Sequence, residues 1–521
     1  MHCNTLLYIV IHCKPWLAKQ LHQETETTST YEQAKHDNGN PMELQEIIDA
    51  DWEFVDAEGL AKKHSPDEDG PNVPKIQEKL LFAERVPTFG AVVKTVKDNK
   101  IRFLAKSHKT SLSQLSQWIT KSLKIMMPMS EEIWRSLFQA AGVVATSSWV
   151  ITSTKQARKR MDRRQAMGKK PNGGQQTYDF TTMYTMLKLF AEDVGAQDAP
   201  ENHAADGAEP DAPESRDFLF AKMQAYVDLV FEHAKQTVAP YGVEKKMEVQ
   251  HWGRSQQPWH RADGDLNDTD KTKFVTRERL MRWIEYLLKH LYVQVGDKIM
   301  RQVVGVPMGT SCSPFLANLM LFMFEFEWFA QEISSLRTWN IRKTERLQQL
   351  AYCTRYIDDL WNPLISKEVF KEIAREMYPQ WLQLDEPEFE GEEINYLDMA
   401  IKHETSTSRW SSKLYDKKEA MVLKGLKLNK FPHPESMLSS RCKYGVITSQ
   451  LHRYTVACSS LAAFLEPATR LYSEYLKKGY SRSLTDRYFN SFMRRHVPEC
   501  RPNAVQRRYA RQRRGTCPMS R

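Results

Sequence analysis

The sequence predicts an α+β fold in which an antiparallel sheet is backed by helices. Residues 352–365, YCTRYIDDLWNPLI, read as two short strands joined by a tight turn. Residues 277–293, RERLMRWIEYLLKHLYV, repeat apolar side chains at the spacing of an amphipathic helix. The chain has 521 residues, of which 41% are hydrophobic, so it can bury a large core. The usual domain size then predicts about three or four domains or subdomains.

Other stretches alternate between the two patterns along the chain. Residues 175–187, QQTYDFTTMYTML, predict a strand that runs into a helix, and residues 297–310, DKIMRQVVGVPMGT, predict a strand that ends in a Pro/Gly turn. From Ser311, SCSPFLANLMLFMFEFEWFAQEI is typical of a long apolar helix. Ser311 or Ser313 is a natural N-cap for that helix, and Pro314 suits its first turn.

Shifts in composition suggest the boundaries of the folded part. Residues 1–75 are predicted to form a mobile polar N-terminal arm, because the stretch from 20 is polar and mixed. Residues 192–217 are acidic and rich in Ala and Pro, as in a disordered surface insertion. The apolar run Leu6–Ile11 is shorter than the roughly 18 residues that a membrane helix needs, and no other run reaches that length. We therefore expect no membrane partner.

The overall charge permits a polyanionic partner without proving one. Lys and Arg number 74 against 65 Asp and Glu, which leaves a formal charge of +9, and basic runs begin at Lys155 and Arg494. A solvated charged face explains each run equally well. The eight Cys form no CxxC pair, so the sequence indicates neither a zinc site nor a disulfide framework. A soluble protein of a reducing, intracellular compartment is expected.

Three aspartates are the candidates for chemistry. Asp358 and Asp359 lie at the predicted hairpin tip, and two adjacent carboxylates in an apolar setting favour a bound cation. Asp179 closes the predicted strand in TYDF, so it can reach the same end of the sheet. Together they suit two Mg2+ ions that clamp an in-line phosphoryl transfer. A chance string, or the merely exposed acidic hairpin of a structural interaction protein, is the alternative.

Five separated blocks give these aspartates a context. In chain order the blocks are TYDFTTMYTM, GVPMGTSCSP, RYIDDLW, INYLDMAI and NKFPHPESMLSSRCKYGVITSQLHRY. Together they resemble the motifs of reverse transcriptases, and in detail those of the Penelope-like retroelement family. That family is allied to telomerase catalytic subunits. The resemblance runs from about Ile101 to Tyr480.

The resemblance implies a right-hand polymerase fold made of fingers, palm and thumb. The implied fingers span 76–172. The implied palm spans 173–403 and carries the acidic insertion. A late palm hairpin and a helical thumb follow at 404–490, and a basic C-terminal tail occupies 491–521.

The same resemblance assigns roles in the palm. Asp179 and Asp358 correspond to the principal metal ligands, Asp359 completes the pair, and the Phe180 carbonyl stands beside Asp179. The implied cofactor is a pair of Mg2+ or Mn2+ ions. Tyr184 corresponds to the aromatic residue beneath the incoming sugar, where a ring obstructs a 2′-hydroxyl; a core tyrosine is the alternative.

Substrate contacts are implied in two further places. Pro307, Met308 and Gly309 resemble the loop that holds the template base and the nucleotide sugar, and Ser313 opens the helix after it. Many reverse transcriptases carry Gln where this chain has Met308, which puts a polar contact there in doubt. In KDNKIRFLAKSHK the resemblance implies a basic grip on the triphosphate, by Arg102 or by Lys106.

The later blocks supply less chemistry. Lys417 is a candidate proton donor to pyrophosphate, although a surface lysine explains it better. His452 and Arg453 lie in the implied thumb, where they are candidates for contacts to the duplex backbone. For His452 a packed core residue is an equal alternative.

The implied activity is RNA-directed DNA polymerisation by a retroelement protein. Its partners are then an RNA template, a DNA primer or RNA/DNA hybrid, and deoxynucleoside triphosphates, with residence in the nucleus. The chain carries no GIY-YIG endonuclease motif, so it resembles the endonuclease-lacking type or a truncated copy. An RNA-templated RNA polymerase and a catalytically inactive nucleic-acid-binding relic are the alternatives.

Overall fold

The computed structural model describes residues 31–36, 38–60, 88–92, 102–106, 111–143, 147–168, 174–180, 183–190, 218–295, 298–306, 310–336, 341–382, 384–416, 431–497 and 505–509. The expected acidic insertion at 192–217 lies outside the described residues. So do the proposed loop contacts Pro307, Met308 and Gly309, and the candidate proton donor Lys417.

Helices and strands alternate along these segments. The helices are α1 (Leu44–Ala57), α2 (Ser113–Ala140), α3 (Thr154–Ala166), α4 (Met183–Met186), α5 (Leu219–Thr237), α6 (Arg277–Lys289), α7 (Ser313–Ser334), α8 (Ile341–Leu350), α9 (Lys367–Met377), α10 (Ser440–Ala457), α11 (Leu461–Lys477) and α12 (Arg482–His496). The strands are β1 (Tyr31–Gln33), β2 (Thr88–Val92), β3 (Arg102–Lys106), β4 (Gln175–Tyr178), β5 (Lys245–Gln250), β6 (Trp259–Arg261), β7 (Thr272–Val275), β8 (Tyr292–Val295), β9 (Lys298–Gln302), β10 (Thr354–Tyr356), β11 (Asp359–Asn362), β12 (Phe389–Gly391), β13 (Glu393–Tyr396), β14 (Met399–Glu404) and β15 (Arg409–Leu414).

The strands pair into separate, mainly antiparallel sheets. Their orders are β1-β9-β8-β2-β3, β10-β11-β4-β12, β13-β14-β15 and β6-β5-β7. Among the described strands, β2 with β8 is the one parallel pair, and it joins Thr88 to Gln294. The predicted α+β class with antiparallel sheets is therefore confirmed.

Two compact units divide the chain. The first unit contains residues 1–148, 180–347 and 373–384, and the second contains 149–179, 348–372 and 385–521. In the first unit α2 packs on α5, α6 and α7. The long helix α7 carries apolar side chains on most of its surface, and most of these side chains are buried. Trp134 of α2 touches Phe322 and Phe329 of α7, with ring centroids 5.9 and 5.1 Å apart.

Two apolar clusters lie among the described residues of the second unit. One joins α3 to the sheets through the buried rings of Trp361, Tyr396 and Trp410. The other holds α10, α11 and α12 together around side chains such as Tyr472, Tyr475 and Phe489. The hydroxyls of Ser439 and Ser460 cap α10 and α11 by accepting from the N–H of Cys442 and of Ala463, as N-cap serines do.

Part of the expected mobile arm over 1–75 forms regular structure, namely β1 and α1. Strand β1 pairs with β9, and α1 buries Ile47, Ile48 and Val55 on one face. A capping box between Glu43 and Glu46 starts the helix. The high average polarity of this stretch hid a single apolar stripe, and one stripe is enough to bind a helix to a core.

The start of α7 also differs in part from expectation. Cys312 is the N-cap, and neither Ser311 nor Ser313 caps the helix with its side chain. Pro314 does lie in the first turn, as the sequence predicted. Among the described helices, none is both long enough and apolar enough to cross a membrane.

Candidate functional site: a carboxylate turn and a serine turn

The hairpin that carries Asp358 has a strained backbone. Strands β10 and β11 pair Tyr356 with Asp359, so Ile357 and Asp358 form a two-residue turn. Ile357 adopts φ +58°, whereas Asp358 does not have a positive φ. A positive φ at the first central position is the mark of a type II′ turn, where glycine is usual. A β-branched residue there costs about 1–3 kcal/mol, and such strain clusters at functional sites.

Asp179 lies at the same sheet edge as this turn. Strand β11 pairs with β4 through Leu360 and Tyr178, and one step further along the register Asp359 stands opposite Asp179. Opposite residues of an antiparallel pair project to the same face. On its other side the Asp179 carbonyl accepts from the N–H of Asp385 at 3.0 Å. The three residues therefore lie at one sheet edge, and we name Asp179, Asp358 and Asp359 the carboxylate turn.

The donor chemistry of the carboxylate turn suits a hard cation. Carboxylate oxygens are the ligands that Mg2+ takes in proteins. In the described part of the chain, however, no group of three or more His, Cys, Asp or Glu side chains is gathered closely enough to hold a metal ion. The donor types and their shared edge thus fit a divalent ion, while a complete three-carboxylate set is not formed.

Two arginines hold the backbone of the carboxylate turn and of the segment beside it. Arg355 is fully buried, and its Nη1 donates to the carbonyl of the strained Ile357 at 2.9 Å. Its backbone N–H donates to the carbonyl of Trp149 at 2.7 Å. Arg160 of α3 donates to the carbonyls of Trp149 and Val150 at 3.0 and 2.8 Å. Arg355 thus holds the turn itself, and Arg160 holds the segment of Trp149 and Val150 beside it.

A third guanidinium, that of Arg164, is buried beneath β10 and β11. Its Nη2 donates to Thr354 Oγ1 at 2.7 Å and to the carbonyl of Tyr352, and the group lies 4.1 Å from the ring centroid of Trp361. Within the described residues its Nε and Nη1 have no hydrogen-bond partner. Burial, together with the nearby charge of Arg160, lowers the pKa of Arg164 to about 9. A buried guanidinium thus packs against both strands of the hairpin.

Tyr396 links the carboxylate turn to the next hairpin. Its hydroxyl lies 3.1 Å from the Thr354 carbonyl oxygen and 3.3 Å from that of Asp359. Burial, and then the charge of Asp359, raise the pKa of Tyr396 well above its usual value, so the hydroxyl stays a donor. Burial also raises the pKa of Tyr356, with Asp359, Asp358 and Asp398 adding to it.

The next hairpin repeats the geometry of the first. Strands β13 and β14 pair Tyr396 with Met399, so Leu397 and Asp398 form a two-residue turn, and Leu397 has φ +55°. Arg453 of α10 donates to Asp398 at 2.7 Å. Burial opposes the charge of Arg453, but Asp398 outweighs burial and raises the pKa of the guanidinium.

Four residues at or near the carboxylate turn were not predicted from the sequence: Arg355, Arg164, Tyr396 and Asp398. A signal for the last two exists, because YLDM repeats the Tyr-aliphatic-Asp order of YIDD. For Arg355 the signal is weaker, a cation between apolar residues, and Arg164 lies within the basic run that begins at Lys155, which gives no such signal. The candidate thumb residue His452 remains exposed, while its ring contacts those of Phe492 and His496 at 4.8 and 4.4 Å.

In the first unit, α2 holds the residues that precede α7. Ser116 Oγ lies 2.7 Å from Ser311 Oγ and accepts from the N–H of Cys312 at 3.2 Å. Thr120 Oγ1 donates to Ser311 Oγ at 3.3 Å. Ser313 is buried as the first residue of the helix. We name residues 310–313 the serine turn; its backbone is positioned by hydroxyl contacts from α2.

Tyr184 also belongs to the first unit. It is half-buried in the short helix α4, and its carbonyl accepts from the N–H of Val306 at 2.8 Å. Tyr184 is thereby attached to the chain that enters residues 307–309. Phe180 is buried against Tyr378, with ring centroids 5.0 Å apart. Arg102 and Lys106 are the first and last residues of β3.

Comparison with known proteins gives distant structural likenesses. The chain is similar to a telomerase from Candida albicans in complex with a TWJ fragment of telomeric RNA, at 10% identity and a TM-score of 0.45, over 95% of this chain and 70% of that one. It is similar to an apo telomerase from Candida tropicalis, at 10% identity and a TM-score of 0.39, over 89% and 69% of the two chains. A form of the latter truncated from its C-terminal domain gives 8% identity and a TM-score of 0.34, over 73% and 64%. No protein-family model and no curated protein matches the chain.

Proposed function

We propose that the chain is an RNA-directed DNA polymerase that extends a primer 3′ end on an RNA template. The observation that carries this proposal is the carboxylate turn, in which a strained two-residue turn presents Asp358 beside Asp359 at the sheet edge that ends with Asp179. The ordered motif blocks of the sequence support a retroelement enzyme of the Penelope-like kind without a GIY-YIG domain. Such an enzyme has the fingers, palm and thumb of a right-hand polymerase.

Asp179, Asp358 and Asp359 are the residues that would hold Mg2+ or Mn2+. Two such ions, when bound, lower the pKa of the attacking 3′-hydroxyl and stabilise the leaving pyrophosphate. The chain contributes the orientation of the carboxylates. Arg355 holds the Ile357 carbonyl and Tyr396 the Asp359 carbonyl, so the turn is kept in one backbone conformation.

Other residues are the proposed substrate contacts. Tyr184 would exclude a 2′-hydroxyl and so select deoxynucleotides, a role supported by its attachment to the chain that enters residues 307–309. Pro307, Met308, Gly309 and Ser313 would contact the nucleotide and the template base. Arg102 and Lys106 would bind the triphosphate, for which a guanidinium is well suited.

Primer extension tests the proposal. The substrates are a poly(rA) template with an oligo(dT) primer and either dTTP or UTP, with Mg2+ or Mn2+. Asp358→Asn keeps the size of the side chain and removes its charge, and Asp265→Asn is the matched control at an exposed aspartate of the first unit. We expect extension with dTTP by the wild type and by Asp265→Asn, and its loss in Asp358→Asn.

Each other outcome identifies a rival function. Preference for UTP would indicate an RNA-templated RNA polymerase and would remove Tyr184 as the steric gate. No extension, with tight salt-sensitive binding to the hybrid, would indicate an inactive nucleic-acid-binding relic. Absence of both would leave a structural interaction protein with an exposed acidic hairpin.

A further inference from the structure

We propose that Trp252 is a stacking platform for an unpaired stretch of the RNA template. The residue belongs to the first unit, in the loop between β5 and β6, and is not part of the carboxylate turn or the serine turn. The inference rests on the proposed function, because that function supplies the single-stranded RNA.

The exposure of Trp252 is unusual for its residue type. The side chain is 77% exposed, whereas tryptophan is highly buried on average. Its one ring contact among the described residues is with His251, edge-on at 90° and 5.0 Å between centroids. Gly253 follows with φ +87°, a conformation that glycine adopts readily. The indole faces therefore stay open.

The loop that presents this indole is anchored on both sides. The His251 N–H donates to the Lys271 carbonyl at 2.6 Å, and Lys121 of α2 donates its Nζ to the His251 carbonyl. On the far side Glu248 accepts from Ser255 at 3.2 Å and lies 3.0 Å from His260 Nε2. A ligand that stacks on Trp252 thus has little loop entropy to remove, which favours binding.

Cationic residues lie in the loop and on the helix that anchors it. Arg254 and Lys124 are exposed, and neither makes a salt bridge with another described residue. Lys124 Nζ lies 5.2 Å from the ring centroid of Phe315, next to the serine turn. Lys121, one helical turn before Lys124, is the anchor of the loop. The opposing charges are Glu248, which contacts the loop, and Asp270, which is adjacent to Lys271 in sequence. Aromatic faces among cations are typical of single-strand binding surfaces.

This arrangement favours unpaired nucleic acid over other partners. Only unpaired bases offer a free π-face to an aromatic side chain. A protein-docking patch would require contiguous apolar surface, but Trp252 is followed by the exposed, non-apolar residues Gly253, Arg254, Gln256 and Gln257. The same helix α2 holds both this loop and the serine turn, so a strand stacked on Trp252 runs beside the segment proposed to contact the template base.

Binding of labelled RNA to the full chain tests this platform without any need for catalysis. The probes are a 12-nucleotide single-stranded RNA and a duplex of the same sequence, measured by fluorescence anisotropy. Trp252→Ala should weaken single-strand binding by roughly 5- to 150-fold, since one stacked base contributes about 1–3 kcal/mol. Trp252→Phe should restore part of the affinity, and duplex binding should not change.

Tyr241→Ala is the matched control, because Tyr241 is an aromatic residue of the same unit and is 70% exposed. It should leave both affinities unchanged. Equal single-strand affinity of Trp252→Ala and wild type would overturn the inference, and so would an equal loss for the duplex or for Tyr241→Ala. If the wild type extends primers but Trp252→Ala binds single-stranded RNA as tightly as the wild type, the stacking role of Trp252 is wrong and the polymerase proposal stands. If Trp252→Ala loses single-strand affinity but the wild type extends no primer, the polymerase proposal is wrong and the stacking role stands.

Discussion

The hydroxyl of Tyr396 lies 3.3 Å from the main-chain carbonyl oxygen of Asp359, so one hairpin of the second unit fastens the carboxylate turn of another. The contact also reaches the Thr354 carbonyl, which precedes the turn. A single buried hydroxyl thus connects both strands of the first hairpin to the second. These hydrogen bonds contribute to stability because the groups are buried and have no water to bind if the bonds are broken.

Tyr396→Phe should lower the free energy of unfolding by about 1 kcal/mol, because the ring still packs and only the hydrogen bond is lost. We expect extension by this variant to need more Mg2+ for half-maximal rate, with a smaller loss at saturating Mg2+. Denaturation by urea and a Mg2+ titration of primer extension measure the two effects. Tyr475→Phe removes a hydroxyl that contacts the Lys443 carbonyl in the helical cluster. That control should show the stability loss alone; an unchanged Mg2+ requirement in Tyr396→Phe would contradict the positioning role.

Ile357→Gly should raise the free energy of unfolding by up to about 1 kcal/mol, because glycine removes the strain at φ +58° while a half-buried side chain is lost. Extension should nevertheless slow, since the freed turn holds Asp358 less firmly. Leu397→Gly, at φ +55° in the second hairpin, is the matched control. Thermal unfolding and extension rates measure both variants. Equal slowing by the two would show that strain at Ile357 has no special role.

Asp51 should make the first unit less stable at higher pH. Its carboxyl is buried and accepts from Ser111 at 2.5 Å, and burial raises its pKa from 3.8 to about 7. Between these values the folded state keeps a proton that the unfolded state releases. The free energy of unfolding therefore falls as pH rises from about 4 to 7, and stays lower above that range.

Asp51→Asn should remove this loss, which amounts to roughly 2–4 kcal/mol at pH 8. Urea midpoints at pH 5 and pH 8 measure it as a difference between variant and wild type. Asp49→Asn changes an exposed aspartate of the same helix and should follow the wild type. If Asp51→Asn kept the full pH dependence, ionisation of Asp51 would not be its source.

The exposed face of α3 should contribute to the salt dependence of RNA binding. Lys155, Lys159 and Arg163 are exposed at intervals of four residues, about 6 Å apart along the helix, and make no salt bridge with another described residue. Replacing all three with Gln should reduce the slope of log affinity against log salt by about 2 to 3. The measurement is anisotropy with the hybrid from 50 to 200 mM salt.

The matched control removes the same charge elsewhere in the second unit. Lys402, Arg409 and Lys413 are exposed on β14 and β15, and their triple Gln variant should keep most of the slope. Equal reductions in the two triple variants would mean that net charge, and not this helix face, governs binding.

Local pattern was enough to predict the elements that carry the candidate site. The strand before Asp179, the hairpin at Asp358 and Asp359, and Pro314 in the first turn of α7 all depend on residues within a few positions of one another. Turn geometry and alternation act over that range, so they can be deduced from a short stretch.

Average composition, in contrast, was a poor guide to residues 31–60. Their polarity predicted a mobile arm, but Ile47, Ile48 and Val55 share one helix face and are buried. A mean over many residues cannot register a stripe that is defined by helical spacing. Asp51 lies on that same buried face, and its raised pKa is equally invisible to composition.

By itself the sequence determined the α+β class with antiparallel sheets. It also determined that a strand ends at Asp179 and that a hairpin turn carries Asp358 and Asp359. The tertiary structure decided which distant groups hold that turn: Tyr396 on the Asp359 carbonyl, Arg355 on the Ile357 carbonyl and Arg453 on Asp398. It also decided that Trp252 stays exposed while most other large rings are buried. The physical reason is range, because backbone preferences act between neighbours in the chain, whereas burial and hydrogen-bond partnership depend on segments that meet only after folding.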